Sequence, residues 1–188
     1  MLIGAALVLC ILTVPVAGGR LAALADLEFR RAWIAVAALA AQVLVVSILP
    51  GDAYGFSAEI HLASYALLGA FVWANRHVHG LLMVGLGGAL NFAAIATNGG
   101  VMPADPDAIA AAGLAEEAGF SNSAPTHDAP LGFLGDAFAV PGWFPIHNVF
   151  SVGDVLIVLG AFLVLHRATR SRLPYIPMGP RPPRRAEA

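Results

Sequence analysis

The sequence predicts an all-α integral membrane protein, a five-helix transmembrane bundle with its N-terminus outside and its C-terminus cytoplasmic. Apolar residues make up 59% of the 188 residues and charged residues only 12%, and the mean hydropathy is +0.77. A soluble domain carries about 25% charged residues, so this composition favours a chain whose surface meets lipid. Two further observations, the length of the apolar runs and the placement of the arginines, support the same prediction.

Five apolar runs approach the length of about 20 residues that a membrane-spanning helix needs. The predicted spans are 2–18, 33–49, 60–74, 81–97 and 149–165. The first run lacks a basic region before it, so we expect a retained helix rather than a removed signal peptide. The third run is the weakest of the five, because His61 and Ser64 dilute its beginning.

The basic residues, all of them arginine, fall on one side of these spans. They lie in the connection 18–32, at Arg76 and beyond residue 165, whereas the connections 50–59 and 98–148 carry acidic residues and no arginine. The positive-inside rule makes the arginine side cytoplasmic. We therefore expect one transmembrane domain over 1–170 in a bacterial inner membrane, and a disordered, Arg/Pro-rich cytoplasmic tail over 171–188.

The connection 98–148, predicted to be extracytoplasmic, contains two local signals. Asn98-Gly99-Gly100 should end the fourth span, because these residues accept left-handed backbone angles. Asp105-Pro106 should begin a short helix, with Asp105 as its cap and Pro106 in its first position, and we expect this helix to end near Gly119.

Two aspartates are the candidate catalytic residues. Asp154 lies in the first turns of the last predicted helix, and Asp136 precedes it by 18 residues on the same side. If 137–148 folds back, the two carboxyl groups could meet and share one proton, as in a water-activating aspartic peptidase. The structural alternatives are a capping box formed by Ser151 and Asp154, and an exposed turn at Asp136.

The residues around both aspartates resemble a known enzyme family. Phe150-Ser151-Val152-Gly153-Asp154, followed by an apolar stretch and Gly160, resembles the last-helix motif of lipoprotein signal peptidases, which reads phenylalanine-asparagine-x-alanine-aspartate. Gly135-Asp136-Ala137-Phe138 is similar to the context of that family's other catalytic aspartate, and Gly88-Ala89-Leu90-Asn91 to its glycine-asparagine stretch. The resemblance implies an aspartic peptidase with Asp136 and Asp154 as catalytic residues. The sequence departs from the family at Ser151, which replaces the motif's asparagine, and after Asn91, where an aspartate-arginine pair is missing.

A second resemblance covers more of the chain. Residues 98–103 (Asn-Gly-Gly-Val-Met-Pro), 134–136 (Leu-Gly-Asp) and 148–154 (Asn-Val-Phe-Ser-Val-Gly-Asp) resemble a family of uncharacterised bacterial multi-span proteins. That family has no function that could be carried over to this chain.

The leading functional hypothesis is an intramembrane aspartic peptidase-like protein, active or degenerate, that acts on a membrane-anchored peptide or protein. The supporting or substrate-binding candidates are Asn91, Asn98, Asn148 and Ser151. The alternatives are a non-enzymatic membrane subunit or scaffold, which binds a partner through its acidic loop, and a small transporter with Asp154 as its ion site.

We expect the lipid bilayer as a partner, but no nucleic acid, cofactor or metal. His127, Asp128 and His147 do not have the spacing of any known ligand set.

Overall fold

The computed structural model describes residues 2–43, 57–114, 123–125 and 128–173, which form an arrangement of short helices with two small sheets. The α-helices in these ranges are α1 (Leu2–Val16), α2 (Ala32–Val43), α3 (Ser57–Ala74), α4 (Leu81–Thr97), α5 (Pro106–Ala111) and α6 (Val152–Ala168). Single 3-10 helices cover Leu21–Asp26 and Gly132–Leu134. The strands are β1 (Met102–Ala104), β2 (Ser123–Pro125), β3 (Phe138–Val140) and β4 (Asn148–Phe150).

The five predicted spans coincide with helices, but the prediction that they cross a membrane is wrong. Within the described ranges, no helix combines the length and the apolar character that a crossing requires. The 17 residues of α4 extend about 25 Å at 1.5 Å per residue, short of a hydrocarbon core of about 30 Å. The 18 residues of α3 are longer, but Glu59 and His61 lower the hydropathy of its first turns.

The predictions that depended on those spans are corrected with them. The five-helix transmembrane bundle, its orientation and the multi-pass inner-membrane localisation have no support from the helices that the structure describes. The second predicted span, 33–49, continues beyond Val43 into residues outside the described ranges, and the predicted tail over 171–188 lies outside them from residue 174 onward.

Helices α4 and α6 pack against each other more extensively than any other pair of described elements. Their backbones can approach closely because glycines face each other across the contact. A Cβ atom on Gly87 would lie 2.4 Å from the carbonyl oxygen of Gly153, and one on Gly160 would lie 2.6 Å from the backbone nitrogen of Val84. These glycines therefore allow the short distance between α4, which carries Asn91, and α6, which carries Asp154.

Helix α1 packs on α6 and α3 contacts α4, whereas α2 packs on α3 and α5 contacts β3 and β4. Asn75, which is buried just after α3, joins α3 to the segment before α2. Its Oδ1 accepts a hydrogen bond from the backbone nitrogen of Arg30 at 2.6 Å, and its Nδ2 donates to the Arg30 carbonyl at 2.9 Å.

The segment between α4 and α6 folds over one end of the helices. Strand β1 pairs in parallel with β2, and β3 pairs antiparallel with β4.

Two local predictions for this segment are confirmed. Helix α4 ends at Thr97, before Gly99 with its φ of +68°. The Asp105 side chain caps α5, with Pro106 in the first position of the helix. The expected end of α5 near Gly119 is wrong, because the helix ends at Ala111 and Gly113 turns the chain with a φ of +70°.

Candidate carboxylate site

Asp154 lies in the first turn of α6, where it completes a capping box with Ser151. The backbone nitrogen of Asp154 donates to Ser151 Oγ at 3.0 Å, and the backbone nitrogen of Ser151 donates to Asp154 Oδ2 at 3.1 Å. The capping box that the sequence spacing predicted is therefore confirmed. An acidic side chain in this position also interacts favourably with the helix macrodipole.

Asn91 connects α4 to this capping box. Its Nδ2 donates to Asp154 Oδ1 at 2.8 Å, and its Oδ1 accepts a hydrogen bond from Ser151 Oγ at 2.9 Å. Asn91 is 8% exposed and Ser151 is fully buried. A Cβ atom at position 153 would lie 1.9 Å from Asn91 Oδ1, so Gly153 leaves the space that this side chain occupies. Both oxygens of the Asp154 carboxylate are thus held by donors from two different elements.

Asp136 is held near α4 by backbone hydrogen bonds to β1 and to Asp105, because β1 itself contacts α4. Its backbone nitrogen donates to the Pro103 carbonyl at 2.9 Å, and its carbonyl accepts from the Asp105 nitrogen at 3.1 Å. Asp136 also forms an isolated parallel bridge with Ala104. Because the chain is paired on this side, Asp136 is only 7% exposed, and the alternative that placed it in an exposed turn is wrong.

Tyr65 on α3, a residue that the sequence analysis did not select, interacts with both aspartates. Its ring is 5.5 Å from the ring of Phe92, and it packs against the buried cluster of Ala94, Ile95 and Met102. Burial, followed by the negative charges of Asp154 and Asp136, raises the pKa of Tyr65 to about 12. The two carboxylates therefore act on one phenol, although no spacing in the sequence relates α3 to either aspartate.

We define the carboxylate site as Tyr65, Asn91, Asp136, Ser151 and Asp154. Four of these residues were predicted from the sequence, and α3, α4, α6 and the chain before β3 bring them together. The site is polar, but the Tyr65 ring packs on the apolar cluster of Ala94, Ile95 and Met102, and Leu134 packs on the same cluster.

Two other predicted supporting residues form hydrogen bonds of a local, structural kind. Asn98 donates through Nδ2 to the carbonyls of Ala94 at 2.7 Å and Pro130 at 2.8 Å, which ties the end of α4 to the connecting segment. Asn148 accepts at Oδ1 from the nitrogen of Val149, its neighbour in β4, at 3.0 Å. None of these three hydrogen bonds reaches a residue of the carboxylate site.

The histidines considered as metal ligands do not form a cluster in the part of the chain that is described. No three His, Cys, Asp or Glu side chains there are placed to hold a metal ion. His147 Nδ1 lies 3.2 Å from the carbonyl of Phe144, and His127 falls outside the described ranges.

The comparison with protein families places the whole carboxylate site within one family. Residues 26–166 match the model of a family of unknown function, DUF5317. The chain belongs to this family. The matched range begins before α2 and ends at His166 in α6, so α1 precedes it. No curated protein and no solved structure matches the chain.

Proposed function

We propose that this DUF5317 protein is an aspartic peptidase-like hydrolase in which Asp136 and Asp154 activate water. One observation carries the proposal: two carboxylates from distant parts of the chain act on the same half-buried phenol, that of Tyr65. Carboxyl groups that share a poorly solvated site favour a state in which only one of them is ionised. Such a pair provides a base and an acid at the same place.

The roles of the two groups follow from this shared proton. The ionised carboxylate takes a proton from water while the water oxygen attacks the carbonyl carbon of a peptide bond. The protonated partner gives its proton to the carbonyl oxygen, which forms a neutral tetrahedral intermediate. Collapse of that intermediate breaks the C–N bond: the carboxyl group that took the water proton passes it to the leaving amine, and its partner takes back a proton from a hydroxyl group of the intermediate, so that both carboxyl groups return to their starting state.

Asn91 and Ser151 support this chemistry by fixing one of the two groups. Two donors, Asn91 Nδ2 and the Ser151 nitrogen, orient the Asp154 oxygens. A carboxylate that is already oriented loses less entropy when it reaches the reactive geometry. The resemblance of 134–160 to lipoprotein signal peptidases, whose spacing of catalytic aspartates the separation of 18 residues fits, supports the same assignment and a peptide or protein substrate.

The direct test is cleavage of a peptide mixture of diverse sequence by the purified protein, with new termini identified by mass spectrometry. Asp136→Asn and Asp154→Asn should each reduce the cleavage rate by about a hundredfold or more, since each removes one acid–base group. Asp128→Asn is a matched control, because Asp128 is exposed and its φ of +56° also suits asparagine. Cleavage that survives both site substitutions would reject the proposal.

Complementation tests the resemblance separately. Bacterial cells that lack lipoprotein signal peptidase should recover lipoprotein processing with the wild-type chain and fail to do so with Asp154→Asn. Cleavage of other peptides without complementation would keep the aspartic mechanism and reject a shared substrate.

A second candidate is a non-enzymatic subunit that binds a protein partner. Both Asp154 oxygens take part in hydrogen bonds that stabilise the start of α6, which a purely structural role would explain. The connecting segment also exposes Phe133 by 70% and Trp143 by 82%, and exposed aromatic side chains are frequent in interfaces. This candidate predicts that Phe133→Ala and Trp143→Ala weaken capture of a partner, whereas Asp136→Asn leaves that capture unchanged.

A further inference from the structure

Tyr65 is the residue that α3 contributes to the carboxylate site. Its ring is held by Phe92 on α4 and by the cluster of Ala94, Ile95 and Met102, so that the hydroxyl group has little freedom to move away. Among the described residues, the charged groups that act on the phenol are Asp154 on α6 and Asp136 before β3. The contacts that α4 and β1 make with the Tyr65 ring itself are apolar.

A phenol in these surroundings resists ionisation. Ionisation would place a further negative charge beside the two acidic groups in a half-buried position, and burial, Asp154 and Asp136 raise the pKa of Tyr65 to about 12. At neutral pH the hydroxyl group keeps its proton and can donate it in a hydrogen bond. A carboxylate is the strongest acceptor within its surroundings, because hydrogen bonds to an ionised acceptor are about twice as strong as neutral ones.

We propose that Tyr65 is a positioning residue of the carboxylate site, with a hydroxyl group that donates a hydrogen bond to the Asp136–Asp154 pair and orients it. Asn91 and the Ser151 backbone hold the pair from the side of α4 and α6. Tyr65 holds it from α3. Its effect on turnover depends on the proposed hydrolase function, but its interaction with the two carboxylates does not.

The first experiment measures the ionisation of Tyr65 without any substrate. Tyrosine is replaced throughout by 3-fluorotyrosine, which ionises at lower pH, and phenolate formation is followed by ultraviolet absorbance. The difference between the wild-type chain and Tyr65→Phe isolates Tyr65 from the chain's other two tyrosines, Tyr54 and Tyr175. Circular dichroism over the same pH range confirms that the fold is kept.

The expected result is a midpoint for Tyr65 well above that of free 3-fluorotyrosine. Asp136→Asn and Asp154→Asn should each lower this midpoint, because each removes one of the two charges that oppose ionisation. Asp128→Asn, which is exposed and outside the site, should leave it unchanged. A midpoint that does not respond to either site substitution would overturn the proposal.

The second experiment separates positioning from mere packing. With any peptide that the wild-type chain cleaves, Tyr65→Phe should lower kcat roughly ten- to a hundredfold, as expected for loss of a hydrogen bond to a charged group, and should leave KM nearly unchanged. The acidic limb of its pH profile should move to higher pH. Phe92→Leu, which alters the ring contact but keeps the hydroxyl group, should leave that limb in place.

The outcomes distinguish this inference from the proposed function. If Asp136→Asn and Asp154→Asn abolish cleavage but Tyr65→Phe changes neither kcat nor the pH profile, the hydrolase stands and the role of Tyr65 is rejected. If no peptide is cleaved but the Tyr65 midpoint responds to both aspartates, the interaction of Tyr65 with the two carboxyl groups stands without the hydrolase.

Discussion

Two neighbouring glycines in α4 should respond in opposite ways to the same substitution. A Cβ atom on Gly87 would lie 2.4 Å from the Gly153 carbonyl oxygen and 2.9 Å from both the nitrogen and the Cγ1 of Ile157. A Cβ atom on Gly88 would have no heavy atom within 4 Å. Gly87→Ala must therefore push α6 away from α4, whereas Gly88→Ala needs no adjustment.

The magnitudes follow from two effects. Alanine is favoured over glycine inside a helix by about 0.5–1 kcal/mol, and both substitutions gain this amount. Overpacking of a tight contact costs about 1–3 kcal/mol, and only Gly87→Ala incurs it. We expect Gly88→Ala to raise the free energy of unfolding by about 0.5–1 kcal/mol. The free energy of unfolding of Gly87→Ala should be lower than that of Gly88→Ala by about 1–3 kcal/mol.

The assay is chemical denaturation of the purified proteins, followed by far-ultraviolet circular dichroism. Because the two positions are adjacent in α4, both alanine substitutions gain the same helix propensity. The difference between the free energies of unfolding of the two variants therefore reports the contact with α6. Equal free energies of unfolding for the two variants would refute the close packing of α4 on α6, and with it the placement of Asn91 beside Asp154.

Three further predictions concern single side chains. Ser151→Ala removes the cap of α6 and the donor to Asn91 Oδ1, so the free energy of unfolding should fall by about 1–2 kcal/mol; an unchanged value would contradict the capping box. Burial lowers the pKa of His166 in the folded protein, because the charged imidazolium is poorly solvated there. The Tm should therefore be highest above about pH 6.5, where the imidazole is neutral in both the folded and the unfolded state, and should decrease as the pH falls below this value. His166→Gln should remove this dependence of Tm on pH. Burial raises the pKa of the Cys10 thiol, and this side chain is only 7% exposed, so a thiol reagent should label it far more slowly in the native protein than in denaturant.

Local sequence signals predicted the positions of the helices well. The predicted range 81–97 matches α4, and the caps at Ser151 and Asp105 were visible because each depends on residues within three positions. The prediction of membrane spans was wrong although the apolar runs and the one-sided arginines both favoured it. Whether a helix can cross a membrane depends on where it begins and ends: α4 has only 17 residues, and the 18 residues of α3 include Glu59.

The parts of the site that could not be predicted depend on contacts between distant residues. Asp136 is buried because its backbone pairs with Pro103 and Ala104, more than 30 residues earlier, in strands of three residues with no alternating pattern. Tyr65 joins the site because α3 packs on α4, which places its ring against Phe92. Neither contact leaves a periodic signal in the sequence.

The claim on which the account depends is that Asp136 and Asp154 belong to one site. A double-mutant cycle measures this directly: the free energy of unfolding at neutral pH is determined for Asp136→Asn, Asp154→Asn and the double variant. Two interacting carboxyl groups should give a coupling energy above roughly 0.5 kcal/mol, because the effect of removing one charge depends on the presence of the other. Single effects that simply add up in the double variant would show that the two aspartates act independently and would contradict the account.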